Sequence, residues 1–171
     1  MSVVPHQVNR VVIEVTEPFD AFRRRYETAV PEVDREKLAA LVRRCAGWPE
    51  VLAMTEAAAP HRFLIYWSSD VTPLMALAGN GGRCVLYLMG NHTIAERMYR
   101  HDPAAMLYAP LRTVICTGSD GRTRFAVDQP STVFASFAIR EITEVGIELD
   151  RKLAALLKAL GAPVPGVLAA P

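Results

Sequence analysis

The sequence lacks most of the features that announce a function. Its three cysteines, Cys45, Cys84 and Cys116, show no CxxC or other close spacing, which argues against a disulfide framework and for reduced thiols in a cytoplasmic protein. Neither sign of charge is in excess: 19 Lys and Arg against 18 Asp and Glu leave +1, so no nucleic-acid stripe and no basic membrane-binding surface is implied. No apolar run approaches the roughly 18 residues needed to cross a bilayer. Residues 1–10 lack the apolar core of a secretory signal. Chemical motifs are missing as well. There is no HExxH or His/Cys cluster for a metal, no GK[ST] after Gly79-Asn80-Gly81-Gly82 for phosphates, and no GxSxG elbow around Ser119, Ser131 or Ser136. No metal and no cofactor is implied.

What is present is the material of one well-filled domain: 171 residues, 51% of them hydrophobic, enough for a core that needs no staple. Val8, Val11, Val12, Ile13 and Val15 make residues 7–15 a strand. Thr16 is placed as an N-cap and Pro18 suits a first helical turn, followed by the stripe Phe19, Phe22, Tyr26 and Ala29. Asp34 caps a second helix with Leu38, Leu41, Val42 and Cys45 as its inner face, stopped at Gly47. Trp48-Pro49 opens a third, to about Ala59. Residues 62–67 and 83–89 read as strands, the latter so apolar that cover on both faces is expected. A helical turn (70–79) lies between them. A helix follows over residues 91–101, closed by Asp102-Pro103.

Residues 111–117 and 122–128 are two strands turned by Ser119-Asp120-Gly121, since Asp-Gly between apolar runs is a strong hairpin signal. Ile142, Val145, Leu149, Leu153, Leu156, Leu157 and Leu160 hold a helical period over residues 139–160. Gly146 interrupts that helix at a cost of about 1 kcal/mol relative to Ala, which points to the close approach of another backbone, from this chain or from a partner. The order of elements predicts an α+β single domain over residues 1–161. A largely antiparallel sheet of about five strands is covered by helices, with a long C-terminal helix and a flexible tail over 162–171.

An apolar strand ending in Gly90-Asn91, Ala95 and Met98 on the next helix, Asp102-Pro103, Leu107, Pro110, Asp120-Gly121, Asp128-Gln129-Pro130 and a long terminal helix follow one another in order. In these residues the segment 84–160 resembles the bacterial domain-of-unknown-function 302 family. The resemblance implies a small α+β fold, often dimeric, and no known reaction. His92 stands where the family pattern usually has Pro, and Leu111 where it commonly has Cys, so a function carried by that thiol does not transfer.

On the helix of residues 91–101, His92 and His101 fall about 180° apart and cannot share a metal. Asn91 as N-cap sets the amides of His92 and Thr93 at the positive end of the helix. Arg112, after Pro110, comes beside them if its strand pairs with the one ending at Gly90. Asn91, His92 and Arg112 then form a donor-rich corner for a small ligand, a carboxylate or phosphate among the options. The blander reading is that Asn91 only caps and Arg112 is a solvated edge residue. Two alternatives accompany the small-ligand reading. One is an enzyme with His92 as general acid or base and Asp128 or Arg112 stabilising charge. The other is a ligand-free interaction module, a homodimer formed through the long helix and a sheet edge. Haem or metal held by His or Met from separate elements is a minor branch.

Overall fold

Alternation of inward and outward residues organises the whole sheet. In β1 (Arg10–Val15) the residues Val11, Ile13 and Val15 are buried while Arg10, Val12 and Glu14 face out. The computed structural model describes residues 3–169. After β1 come α1 (Phe19–Ala29), α2 (Arg35–Arg43), α3 (Trp48–Ala58), β2 (Leu64–Asp70), α4 (Thr72–Ala76), β3 (Cys84–Gly90) and α5 (His92–Tyr99). A 3-10 turn (Pro103–Leu107) leads to β4 (Leu111–Thr117), β5 (Thr123–Asp128), α6 (Pro130–Phe134), α7 (Arg140–Ala159) and α8 (Gly166–Ala169). The strands form one antiparallel sheet in the order β1-β5-β4-β3-β2. The expected α+β domain with five strands and a long C-terminal helix is therefore what the chain forms.

The core lies on one face only. Val85, Tyr87 and Met89 of β3, Ile115 of β4 and Phe125 of β5 meet Phe22 and Tyr26 of α1 and the stripe Ile142, Val145, Leu149, Leu153 and Leu156 of α7. On the other face Leu86, Leu88, Val114 and Ala126 are half-buried and Val12 is 55% exposed. The double cover expected for β3 is thus corrected: its continuous apolar run fills the core with one parity and an open face with the other.

Several local expectations change for identifiable reasons. β1 starts at Arg10 rather than residue 7, because pairing with β5 begins at Arg10 opposite Asp128. Pro18, not Thr16, precedes α1, and its carbonyl receives the first helical N–H groups, from Ala21 and Phe22. Asp34 caps α2 as read, accepting from the Lys37 N–H. That helix buries only Leu41; Val42 is 77% exposed and Cys45 is also exposed. Leu38, Ala39 and Ala40 beside Leu41 are half-buried, so the inner face is narrower than the expected stripe.

α6 was hidden behind Pro130, and it explains Gly146. A Cβ at Gly146 would stand 3.0 Å from Phe134 Cβ and 3.1 Å from Ser131 Cα, so the approaching backbone is the chain's own α6. The pair is clasped by the buried Asp150, whose carboxylate accepts from Ser131 N–H (2.9 Å), Ser131 Oγ (2.6 Å) and Gln129 Nε2 (2.7 Å). Beyond Gly161 the described part of the tail touches the domain at two points. Ala162 and Leu168 are buried in the core, and the Gln129 amide donates to the Val167 carbonyl (3.1 Å). Residues 170 and 171 of the expected tail lie outside the described residues.

Candidate functional site

The Gly90-Asn91 corner places His92 at the head of α5, directly where β3 leaves the sheet. Gly90 gives Pro110 room: a Cβ there would crowd Pro110 Cβ at 3.1 Å and Pro110 Cα at 3.2 Å. Asn91 caps the helix as expected. Its Oδ1 accepts from Thr93 N–H (2.9 Å), Thr93 Oγ1 (2.7 Å) and Ile94 N–H (3.4 Å), and its Nδ2 donates to the Arg62 carbonyl (2.9 Å). The first free amide, that of His92, donates to the Tyr66 hydroxyl at 2.9 Å. The helix N-terminus is thereby satisfied from within.

Tyr66 reaches this point through a β-bulge. Ile65 pairs with Met89 and Trp67 with Leu88, so Tyr66 is the extra residue of β2. Ile65 is held on its other side, donating to the Pro31 carbonyl and accepting from the Val33 N–H (both 2.9 Å). Its pairing cannot slide to absorb the extra residue, and a bulge of this kind re-aims the side chain it carries.

The imidazole of His92 lies between two hydroxyls, with Nε2 2.6 Å from Thr55 Oγ1 and Nδ1 2.6 Å from the Tyr66 hydroxyl oxygen. The Thr55 hydroxyl donates to the Val51 carbonyl at 2.7 Å, so its oxygen accepts from Nε2–H. The lone pair of Nδ1 then receives the Tyr66 proton. Assigned from this network, the ring is neutral and protonated on Nε2. Burial lowers the pKa of His92, and burial pushes the Tyr66 phenol up to about 12. Both shifts favour the uncharged form of the group at neutral pH.

Beside this pair a cavity of about 190 Å3 opens between α5 and the cores of the sheet and α7. Phe63, Ile94, Met98, Phe134 and Leu149, all buried, form much of its wall. Gly90 and Pro110 close one side, and the polar groups on the wall come from Asn91, Tyr66 and His92. Asn91 is consumed by its capping bonds. Tyr66 donates once and accepts once, which leaves one lone pair of its oxygen unused.

Arg112 does not join that corner. It pairs with Leu88 on the open face of the sheet, is exposed, and lines an adjoining groove of about 460 Å3 together with Asp128 and Tyr108, which shares Met106, Ala109, Pro110 and Leu111 with the cavity wall. The groove is larger, but Val8, Leu107, Arg112 and Asp128 on its wall are exposed, which makes it a surface concavity. Asp128 is paired with Arg10 at 3.4 Å. The expected residues therefore divide into two sets: Asn91 and His92 at the cavity, Arg112 and Asp128 on the opposite face. Tyr66 and Thr55 were missed. The available signal was the run Phe63-Leu64-Ile65-Tyr66-Trp67, which breaks the period-two pattern where the bulge sits.

Among the described residues, no three His, Cys, Asp or Glu side chains gather as a metal site, and no helix is long and apolar enough to cross a membrane. A family model described as "Domain of unknown function DUF302" matches residues 47–160, which extends the resemblance upstream to α3. A crystal structure titled uncharacterized conserved protein DUF302 from Bacillus stearothermophilus superposes with a TM-score of 0.63 at 15% identity, covering 88% of this chain and 97% of that one. At that identity the likeness concerns the fold alone. No curated protein matches the sequence.

Proposed function

The chain belongs to the DUF302 family, a name that carries no activity, and from that premise we propose that it is a cytoplasmic binding protein for a small, neutral, largely apolar molecule. The observation that carries this reading is the pocket of about 190 Å3 beside α5, walled by Phe63, Ile94, Met98, Phe134 and Leu149. Apolar cavities of about 150 Å3 hold benzene or xenon rather than water, so the ligand has roughly the bulk of a single aromatic ring. The unused lone pair of Tyr66 adds one requirement, a hydroxyl that can donate to it. A phenol or a short alcohol fits both.

An anionic ligand at the helix N-terminus is not supported, because Asn91 and Tyr66 already take the N–H groups of His92, Thr93 and Ile94. An acid–base role for His92 is opposed by its two hydrogen-bonded nitrogens. The same bonds leave it no lone pair for haem iron. A dimer through the long helix loses its reason, since Gly146 and the apolar stripe of α7 are filled from within the chain. The second reading is a homodimer through the open face of the sheet, favoured by Trp67, which is 46% exposed.

Thermal shift with phenol, benzoate and inorganic phosphate separates these readings. A rise with phenol alone, lost in Ala95→Leu, where three added carbons occupy the cavity beside α5, is the expected result. A rise with benzoate or phosphate that survives Ala95→Leu overturns it.

A further inference from the structure

Cys84 and Cys116 are distant in sequence and directly opposed in space, paired across β3 and β4. The next pair along the ladder, Arg83 with Thr117, carries a main-chain bond from Thr117 N–H to the Arg83 carbonyl at 2.9 Å. Hydrogen-bonded and non-hydrogen-bonded pairs alternate, so Cys84 and Cys116 form a non-hydrogen-bonded pair, the closer kind, with Cα atoms about 4.5 Å apart. That lies near the lower end of the roughly 4.4–6.8 Å span of disulfides. Both side chains point to the open face, since Val85 and Ile115 beside them are buried in the core. Both cysteines are half-buried and free, and therefore reachable.

We propose that Cys84 and Cys116 are a reversible redox site, closing an intramolecular disulfide between the two central strands when a disulfide oxidant such as oxidised glutathione is present. Burial pushes both thiols up, and the charge of each partner's neighbourhood then separates them: Cys116 has the Arg124 guanidinium working in its favour, while Cys84 has Cys116 and Asp70 working against it. Cys116 is the first nucleophile. Its thiolate attacks one sulfur of oxidised glutathione and expels one glutathione thiolate. Cys84, as thiolate, attacks the Cys116 sulfur of the mixed disulfide and expels the second. Two protein thiols give up two protons and two electrons, and one small disulfide becomes two thiols. The pair lies at the hairpin end of the sheet, four residues along β3 from Leu88, the partner of Trp67.

The test uses the folded full-length chain as Cys45→Ser, so that the exposed thiol cannot link two molecules. Graded ratios of oxidised to reduced glutathione are followed by intact mass and peptide mapping. The expected result is a product lighter by about 2 Da, mapped to a Cys84–Cys116 cross-link and reversed by dithiothreitol. Cys84→Ser in the same background should instead stop at the mixed disulfide on Cys116. Two outcomes overturn the proposal. In one, both thiols remain open to alkylation at every ratio. In the other, the cross-link appears only after denaturant unfolds the chain.

Discussion

Replacing Tyr66 by Phe tests how the imidazole of His92 is held. The substitution keeps the ring that lines the cavity and removes one oxygen. That oxygen serves two bonds, accepting from His92 N–H at 2.9 Å and donating to His92 Nδ1 at 2.6 Å. A buried polar group left without its partner costs about 1–3 kcal/mol. His92 is only half-buried, so water recovers part of that, and the two losses together come to about 2 kcal/mol. For a chain of this length each kcal/mol moves Tm by about 2–4 °C, giving a fall of about 4–8 °C. Acid stability changes with it. Burial holds the folded pKa of His92 below its ordinary value, so as pH falls the unfolded chain takes up the proton first. The stabilisation from the neutral ring is complete above about pH 6.5 and is lost as pH drops from there through the folded value. The Tyr66 proton on Nδ1 also favours the neutral ring. Tyr66→Phe should therefore raise the folded pKa, read from the His92 Cε1–H resonance, and flatten the loss of stability below pH 6.5. A variant with unchanged Tm, and with His92 titrating as in the parent, would refute the assigned network.

Gly146→Ala should destabilise by about 1–3 kcal/mol in urea unfolding, although the same change in an exposed helix stabilises by about 1 kcal/mol, because the methyl meets Phe134 and Ser131 at 3.0–3.1 Å. A gain in stability would show that α6 does not press on α7 as described. Asp150→Ala leaves three donors from Gln129 and Ser131 without their carboxylate and should cost about 3 kcal/mol or more; a loss under 1 kcal/mol would remove the clasp from the account. If two chains associate through the open sheet face, Trp67→Glu lowers the mass measured by light scattering from dimer to monomer. A monomeric parent ends that reading.

Much of the fold was legible because single residues carried local physics. Asp34 and Asn91 cap helices where their side chains predict it, Asp120-Gly121 turns the hairpin, and the leucine period of α7 marks the element that covers the sheet. Gly146 even signalled a close backbone. What stayed hidden depends on where chains meet after folding. Tyr66 comes to His92 across 26 positions, through a bulge that no period-two pattern displays. Arg112 looked like a neighbour of His92 because its strand does pair beside β3; one residue of parity decides which face it takes, and that parity puts it on the far side. The β3 run misled for the same reason, since apolar residues on an open face read like apolar residues in a core.

The claim that a neutral ring-sized molecule enters between α5 and α7 is tested most directly by the methyl resonances of the methionines that line the cavity. Met98 and Met106 lie on its wall while Met75 lies far along the chain on α4. Titration with phenol should shift the Met98 and Met106 methyls saturably, leave Met75 in place, and produce no shift in Ala95→Leu. Resonances of Met98 and Met106 that stay fixed through saturating phenol, or that move equally in Ala95→Leu, contradict it.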